Sequence, residues 1–166
     1  GGQGGGALRL TISGTLTNNG TMSSNGAKGP DGYRYPAGGG AGGSIYITAD
    51  SITGTGVFEA VGGDGGVHSA SGYTDGGGGS GGRISLNWTT GYSFSGAIDL
   101  KGGTGYRDGG PGTFYVNNPI DLTVGTGEVV GFEGEVSLSN LTVDSGGVIS
   151  VNYNGHGPKE GTGAGG

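Results

Sequence analysis

Apolar and polar residues alternate along this chain in short bursts. Leu8, Leu10 and Ile12 fall on one face of an extended segment. So do Ile45 with Ile47, Ile84 with Leu86 and Trp88, Phe114 with Val116, and Val136 with Leu138. A period of two is what a strand with one buried face requires, and no stretch shows helical periodicity of useful length. Most bursts follow a run of glycine, most plainly at 38–49 (GGGAGGSIYITA) and 76–87 (GGGGSGGRISLN), and more weakly at 1–12 and 109–116.

The junctions recur. Leu8 to Ile45 is 37 residues, Ile45 to Ile84 is 39 and Ile84 to Phe114 is 30. A repeating junction calls for a search for stacked units, and five units of three strands can be laid out. They are 7–12, 14–18 and 20–25; 44–49, 50–54 and 56–61; 83–88, 91–95 and 96–101; 113–117, 119–124 and 127–132; and 135–139, 140–144 and 147–153. Glycine or asparagine tends to sit between strands, where a corner needs unusual backbone angles. Three short strands per turn with glycine corners predict an all-β fold, a right-handed parallel β-helix (solenoid) of about five coils occupying residues 1–166 as a single module. Its inward residues would stack in ladders about 4.8 Å apart. The predicted core is Leu8, Leu10, Ile45, Ile47, Ile52, Ile84, Leu86, Ile98, Leu100, Phe114, Val116, Leu122, Leu138, Leu141, Val143 and Ile149.

Composition sharpens this reading. Glycine supplies 48 of the 166 residues, far above the usual ~7 %. The chain holds only 5 prolines and lacks a sustained Gly-X-Y period, which excludes collagen. Apolar residues reach just 30 %, enough for the thin core of a solenoid rather than a thick globular one. Four glycine-rich excursions leave the strands, at 26–43, 62–82, 102–112 and from Asn154 onward. Polyglycine adopts an extended threefold helix, and without side chains such segments pack closely. The excursions are therefore expected to stack beside the solenoid as a polyglycine-II-like second layer, with disorder as the competing expectation.

The net charge of −6 and seven scattered Lys and Arg residues argue against nucleic acid as a partner. The chain has no cysteine, hence neither disulfides nor thiolate metal sites. No apolar run is long enough to insert in a membrane. The sequence opens without Met or a signal peptide, and its closing glycine run lacks a following strand that its opening segment would supply. We expect a module cut from a tandem array, or a subunit that stacks head to tail on copies of itself.

Candidate chemistry is sparse. Asp31, Asp64, Asp75 and Asp108 lie in the excursions, but the glycine-rich calcium-binding nonapeptide fits none of them. Solvated carboxylates are expected there, with Ca2+ the alternative. GGSGG at 78–82 and the G-x-G-x-x-G at 161–166 arise readily in so glycine-rich a chain and lack the required helix. His68 and His156 stand in glycine loops without a nearby acid and nucleophile. No catalytic residue, cofactor or enzyme activity is expected. Tyr33, Arg34, Tyr73, Tyr106 and Arg107 recur at matching places in three excursions. Aromatic faces with Arg suit a glycan or surface contact, and tyrosines packing the glycine layer are the structural alternative. Asn19, Asn87 and Asn140 open formal glycosylation sequons.

The pattern G-G-G-x-G-G-[S/R]-I-x-[I/L] followed by xGxGxFxAxGGxGG, carried by Gly38–Gly66 and Gly76–Gly103, resembles glycine-rich repeats of very large bacterial and archaeal secreted or cell-surface proteins. That resemblance implies a β-helical stalk, filament or adhesin without assigned activity. The excursions also resemble polyglycine sandwiches of some phage tail-tip adhesins and insect antifreeze proteins, though here they are short and lack a flat Thr array. The expected function is thus an extracellular, cell-surface structural module that self-assembles by coil stacking. The alternatives are a glycan-binding adhesin and, third, ice binding.

Overall fold

A computed structural model describes residues 1–132 and 137–150. It is all-β, with no helix and with parallel pairing throughout. Eleven strands form in chain order: β1 (Ala7–Thr17), β2 (Thr21–Ser23), β3 (Ser44–Gly54), β4 (Val57–Glu59), β5 (Arg83–Phe94), β6 (Ala97–Asp99), β7 (Thr113–Val116), β8 (Asp121–Val124), β9 (Val129–Gly131), β10 (Asn140–Val143) and β11 (Val148–Ser150). They build four sheets, ordered β1-β3-β5-β7, β2-β4-β6, β8-β10 and β9-β11. Parallel neighbours require a long connection, and each connection here contains a short strand, a glycine excursion or both.

The register places like on like. Leu8, Ile45, Ile84 and Phe114 face one another across β1, β3, β5 and β7, and Leu10, Ile47, Leu86 and Val116 do the same two residues on. Met22, Phe58 and Ile98 form a ladder in the short-strand sheet. Predicted strand pairs 7–12 with 14–18 and 44–49 with 50–54 each merge into one long strand. A register shift lies between Ile12 and Thr15 in β1 and between Ala49 and Ser51 in β3. Extra residues of this kind bend a strand without ending it. At the next corner Gly54 adopts φ 116° against the buried Asn18, whose amide donates to the Val57 carbonyl at 3.1 Å.

The core is thin, as the low apolar content requires. Ile45, Ile47, Ile52, Ile84, Leu86, Ile98, Leu100, Phe114 and Leu122 are buried as predicted. Leu8, Leu10, Val116, Leu138 and Ile149 pack against them partly covered. Leu141 and Val143 depart from expectation. At 47 % and 46 % exposed, they lie on β10, which pairs with β8 alone among the described residues. The core also gains Phe58, Phe94, Ile120, Val124 and Val130. Of the predicted segment 135–139, residues 135 and 136 lie outside the described residues and 137–139 form no strand. The excursion from Asn154 also lies outside the described residues.

The excursions are ordered by main-chain bonds. Each has an outgoing run (26–29, 62–66, 102–105) and a returning run (37–43, 76–82, 107–112), with 1–6 acting as a further returning run. Gly39 and Gly42 donate to Gly77 and Ser80 of the next returning run, while Gly40 and Gly43 donate to Ala27 and Ser24 on the outgoing side. Gly78 and Gly81 repeat the first pattern toward Arg107 and Gly110, and Gly79 and Gly82 repeat the second toward Gly63 and Ala60. The direction of each amide thus recurs every third residue.

Such close approach leaves no room for Cβ atoms. One added at Gly40, Gly43, Gly79 or Gly82 would sit well under 3.0 Å from a neighbouring main-chain carbonyl. The third position of each triplet is roomier: a Cβ at Gly77 meets nothing nearer than 3.7 Å, and Ala41 and Ser80 carry side chains there. The layer is closed at one edge. By register, Asp108 and Pro111 occupy the places of Gly78 and Gly81, whose amides reach the next run. Pro111 has no amide to donate, and the Asp108 carboxylate accepts from the Gly105 amide at 3.0 Å.

Two outcomes follow for thermal unfolding. Leu86→Asp, a charge in a dry core, should abolish the cooperative transition. Gly79→Ala should destabilise by about 1–3 kcal/mol through overpacking, whereas Gly77→Ala should melt within about 0.5 kcal/mol of the parent. Equal melting of the two alanine variants would refute the packing rule.

Candidate functional site at the tips of the glycine runs

The tips are where side chains return. Between its two runs the first excursion carries Tyr33, Arg34 and Tyr35, and the second carries His68, Tyr73 and Asp75. Main-chain bonds hold the two tips together: Gly32 donates to Val67 at 3.1 Å, Ser69 to Gly32 at 3.2 Å and Ala70 to Tyr33 at 2.8 Å. This brings Arg34 between two aromatic rings, its guanidinium 5.8 Å from the Tyr33 centroid and 5.7 Å from that of Tyr73. The Tyr35 ring meets Tyr73 edge-on, with centroids 5.8 Å apart and planes at 83°.

Three of the five candidate contact residues, Tyr33, Arg34 and Tyr73, are therefore assembled. Tyr106 and Arg107 are exposed in the next tip. Their backbones are engaged, the Tyr106 amide with Gly76 and the Arg107 carbonyl with Gly78. Tyr35 was not singled out from the sequence, although alternation in Tyr33-Arg34-Tyr35 was a usable signal. Tyr33 and Tyr35 are 68 % and 83 % exposed, so the cluster presents ring faces and a cation to solvent. Such cation–π contacts at exposed sites contribute about 0.5–1 kcal/mol each.

His68 has an acid beside it. Its Nδ1 lies 2.6 Å from Asp75 Oδ1, which also accepts the His68 amide at 2.9 Å. The pair closes the second tip. The other aspartates have comparable tasks. Asp31 accepts from Lys28 Nζ and from the Val67 amide, each within 2.7 Å. Asp64 accepts the amide and hydroxyl of Thr104 at 2.7 and 2.8 Å. Each thus stitches its own excursion to the next. Among the described residues no three His, Asp or Glu side chains gather as a metal-holding group.

The sequon asparagines are also engaged. Asn19 Oδ1 accepts the Thr55 amide at 3.2 Å and Asn140 donates to Asp121 at 2.7 Å. Asn87 sits within β5, donating to the Ile47 carbonyl and Ser85 Oγ, both at 3.1 Å. A second exposed aromatic place, unforeseen from the sequence, lies on the outer face of the β1-β3-β5-β7 sheet. There the Arg9 guanidinium is 5.4 Å from the Tyr46 centroid, and Tyr46 and Tyr115 flank Ser85 two rungs apart.

Comparison of the chain with protein-family models, with curated proteins and with solved structures returns no match.

The carboxylate stitches set a pH dependence. Lys28 first and then the Val67 amide lower the Asp31 pKa, the Thr104 amide and hydroxyl lower that of Asp64, and the His68 amide and ring lower that of Asp75. A pKa depressed on folding stabilises the folded state above the unfolded value, here near 3.8, and the benefit disappears as pH falls through the folded values. Protection of the Val67, His68 and Thr104 amides against exchange should fall below about pH 3.8. In Asp64→Asn, Thr104 exchange should lose that acid-dependent step.

Proposed function

We propose that this chain is a structural module of an extracellular filament or stalk, built as a right-handed parallel β-helix with a polyglycine-II-like layer along one side. The observation that carries the proposal is the three-residue period of amide donation in the glycine runs. An extended helix of three residues per turn has no internal hydrogen bonds, so its amides bond to neighbouring runs, as two of every three do here. Together with the four-strand ladder of Leu8, Ile45, Ile84 and Phe114, it supports a solenoid in which most cohesion runs along the axis. Load along that axis would be borne by many main-chain bonds acting together. Such a body serves by holding shape rather than by chemistry.

Assembly would proceed by coil stacking on copies of the same chain. β1 is an edge strand with Leu8, Leu10 and Ile12 only partly covered. At the other end Leu141, Val143 and Val148 are about half exposed. Open, apolar parallel edges are templates for pairing.

A second reading, glycan adhesion through the tips, is favoured by the Tyr33, Arg34, Tyr35 and Tyr73 cluster. Rings flanking a guanidinium suit the faces of sugars.

Electron microscopy of the purified chain should show filaments whose axial repeat is a multiple of ~4.8 Å. Leu10→Lys, at the β1 edge, should leave particles short. Monodisperse single particles for the parent chain would defeat the filament reading. Loss of glycan-array binding in a Tyr33→Ala and Tyr73→Ala double variant would support adhesion.

A further inference from the structure

The long-strand sheet opens into a cleft beside the second half of β5. β7 follows β5 only from Arg83 to Leu86. Asn117 then takes over with its side chain, accepting the Trp88 amide at 3.1 Å and donating to the Trp88 carbonyl at 2.9 Å. Beyond that point the chain turns away through Pro119. Among the described residues, 91–94 pairs with β3 and with no strand on the other side. β8, whose one ladder partner is β10, faces this segment, and the two Cα traces are more than 8 Å apart almost everywhere. Paired strands lie about 4.8 Å apart, so one interposed strand would need about 9.6 Å.

The intervening space is a cleft of about 560 Å³, lined on one side by Gly91–Ser95 and on the other by Pro119–Thr123. Its two edges are complementary to an added strand. Ser95 donates to Gly54, so alternation turns the main-chain groups of Tyr92 and Phe94 into the cleft. Ile120 and Val124 accept from the chain leading to and from β10, so Asp121 and Thr123 face the cleft from the far side. The side chains alternate as well. Phe94, Leu122 and Val124 are buried toward the core, while Ser93, Asp121 and Thr123 are exposed.

We propose that this cleft is a binding site for an extended polypeptide strand, about four residues long and alternating apolar with polar. The strand lies parallel to β5 and β8 and bonds to both, making one sheet from β1 to β10. Its apolar side chains extend the Ile52–Tyr92 ladder toward Leu122. This is strand addition with two edges in place of one, so main-chain bonds supply affinity and alternate side chains supply selectivity.

The chain's one tryptophan, Trp88, lines the cleft and reports on it. An acetylated and amidated hexapeptide alternating threonine and valine should shift Trp88 emission saturably in the wild-type protein. The same peptide with every valine N-methylated should bind at least tenfold more weakly, since it loses one edge. Thr123→Pro removes a main-chain donor that faces the cleft. It should weaken the native peptide by a similar factor while leaving the melting temperature unchanged. Equal binding of the two peptides would overturn the proposal, as would no emission change at about 1 mM peptide. A response to chitohexaose or cellohexaose but not to peptide would also overturn it, and would make the aromatic wall a sugar site.

Discussion

Amide-to-carbonyl bonds between glycine runs set the terms for the rest of this molecule. A backbone that bonds in three directions must approach its neighbours closely, and close approach excludes Cβ at two of every three interior positions. The glycine content follows from that constraint. Glycine is costly to order, since it surrenders more chain entropy than any other residue. The cost is tolerable here because the runs are anchored at both ends. The outgoing run leaves from the end of a short strand and the returning run enters the start of a long one. Gly43, Gly82 and Gly112 each donate back to the departing chain at Ser24, Ala60 and Leu100. The thin apolar core and the glycine layer therefore brace each other, and neither has the thickness to stand as a domain by its own burial.

The same constraint explains where non-glycine residues appear. Interior runs read Gly-Gly-x, as at 39–44 and 78–83, whereas edge runs relax. Gln3, in the run beside β1, stands at the register position of Gly40 and Gly79. Asp108 and Pro111 stand where Gly78 and Gly81 would donate onward. A charge and a proline at an edge are the familiar means of stopping a sheet from growing, and here they stop a glycine layer. Among the described residues the strands continue past this edge with no further glycine run, and β8 pairs with β10 at a spacing of only 19 residues.

Much of the fold was legible because its signals are local and repeated. The alternation at Leu8, Ile45, Ile84 and Phe114 gave both strand type and register, since inward residues must stack if coils are similar. The bends inside β1 and β3 look like breaks in the sequence, because a bulge and a turn both display Gly, Ser or Asp between apolar residues. The exposure of Leu141 and Val143 was invisible, because alternation reports which face a residue occupies and not whether anything covers that face. At the tips, spacing aligns Tyr33 with Tyr73, and the two rings share Arg34 without touching each other in a ladder. The Tyr35 contact and the His68–Asp75 pair depend on how two loops fold over each other, which no periodicity records. The triplet rule was present in 39–44 and 78–83 but spans only two triplets, too few to stand out against a background so rich in glycine.

The cleft beside β5 shows what happens when a repeat is interrupted. Strands offset by 30 to 40 residues stack ladder upon ladder until Trp88, where Asn117 and Asn118 satisfy one backbone unit with side chains and Pro119 ends the match. An asparagine side chain imitates a peptide group but cannot continue a strand. The ladder therefore opens at the point of imitation. The aromatic series Trp88, Tyr92 and Phe94, with centroids 4.6 and 6.4 Å apart in succession, occupies the opened wall. Large rings can partly cover a core that the missing rung would otherwise seal. They leave the edge amides of β5 facing solvent, and those are the groups an added strand needs. A gap flanked by two parallel edges differs from an ordinary sheet edge. An incoming strand is held on both sides, whereas a long or bulky partner is excluded by the far wall.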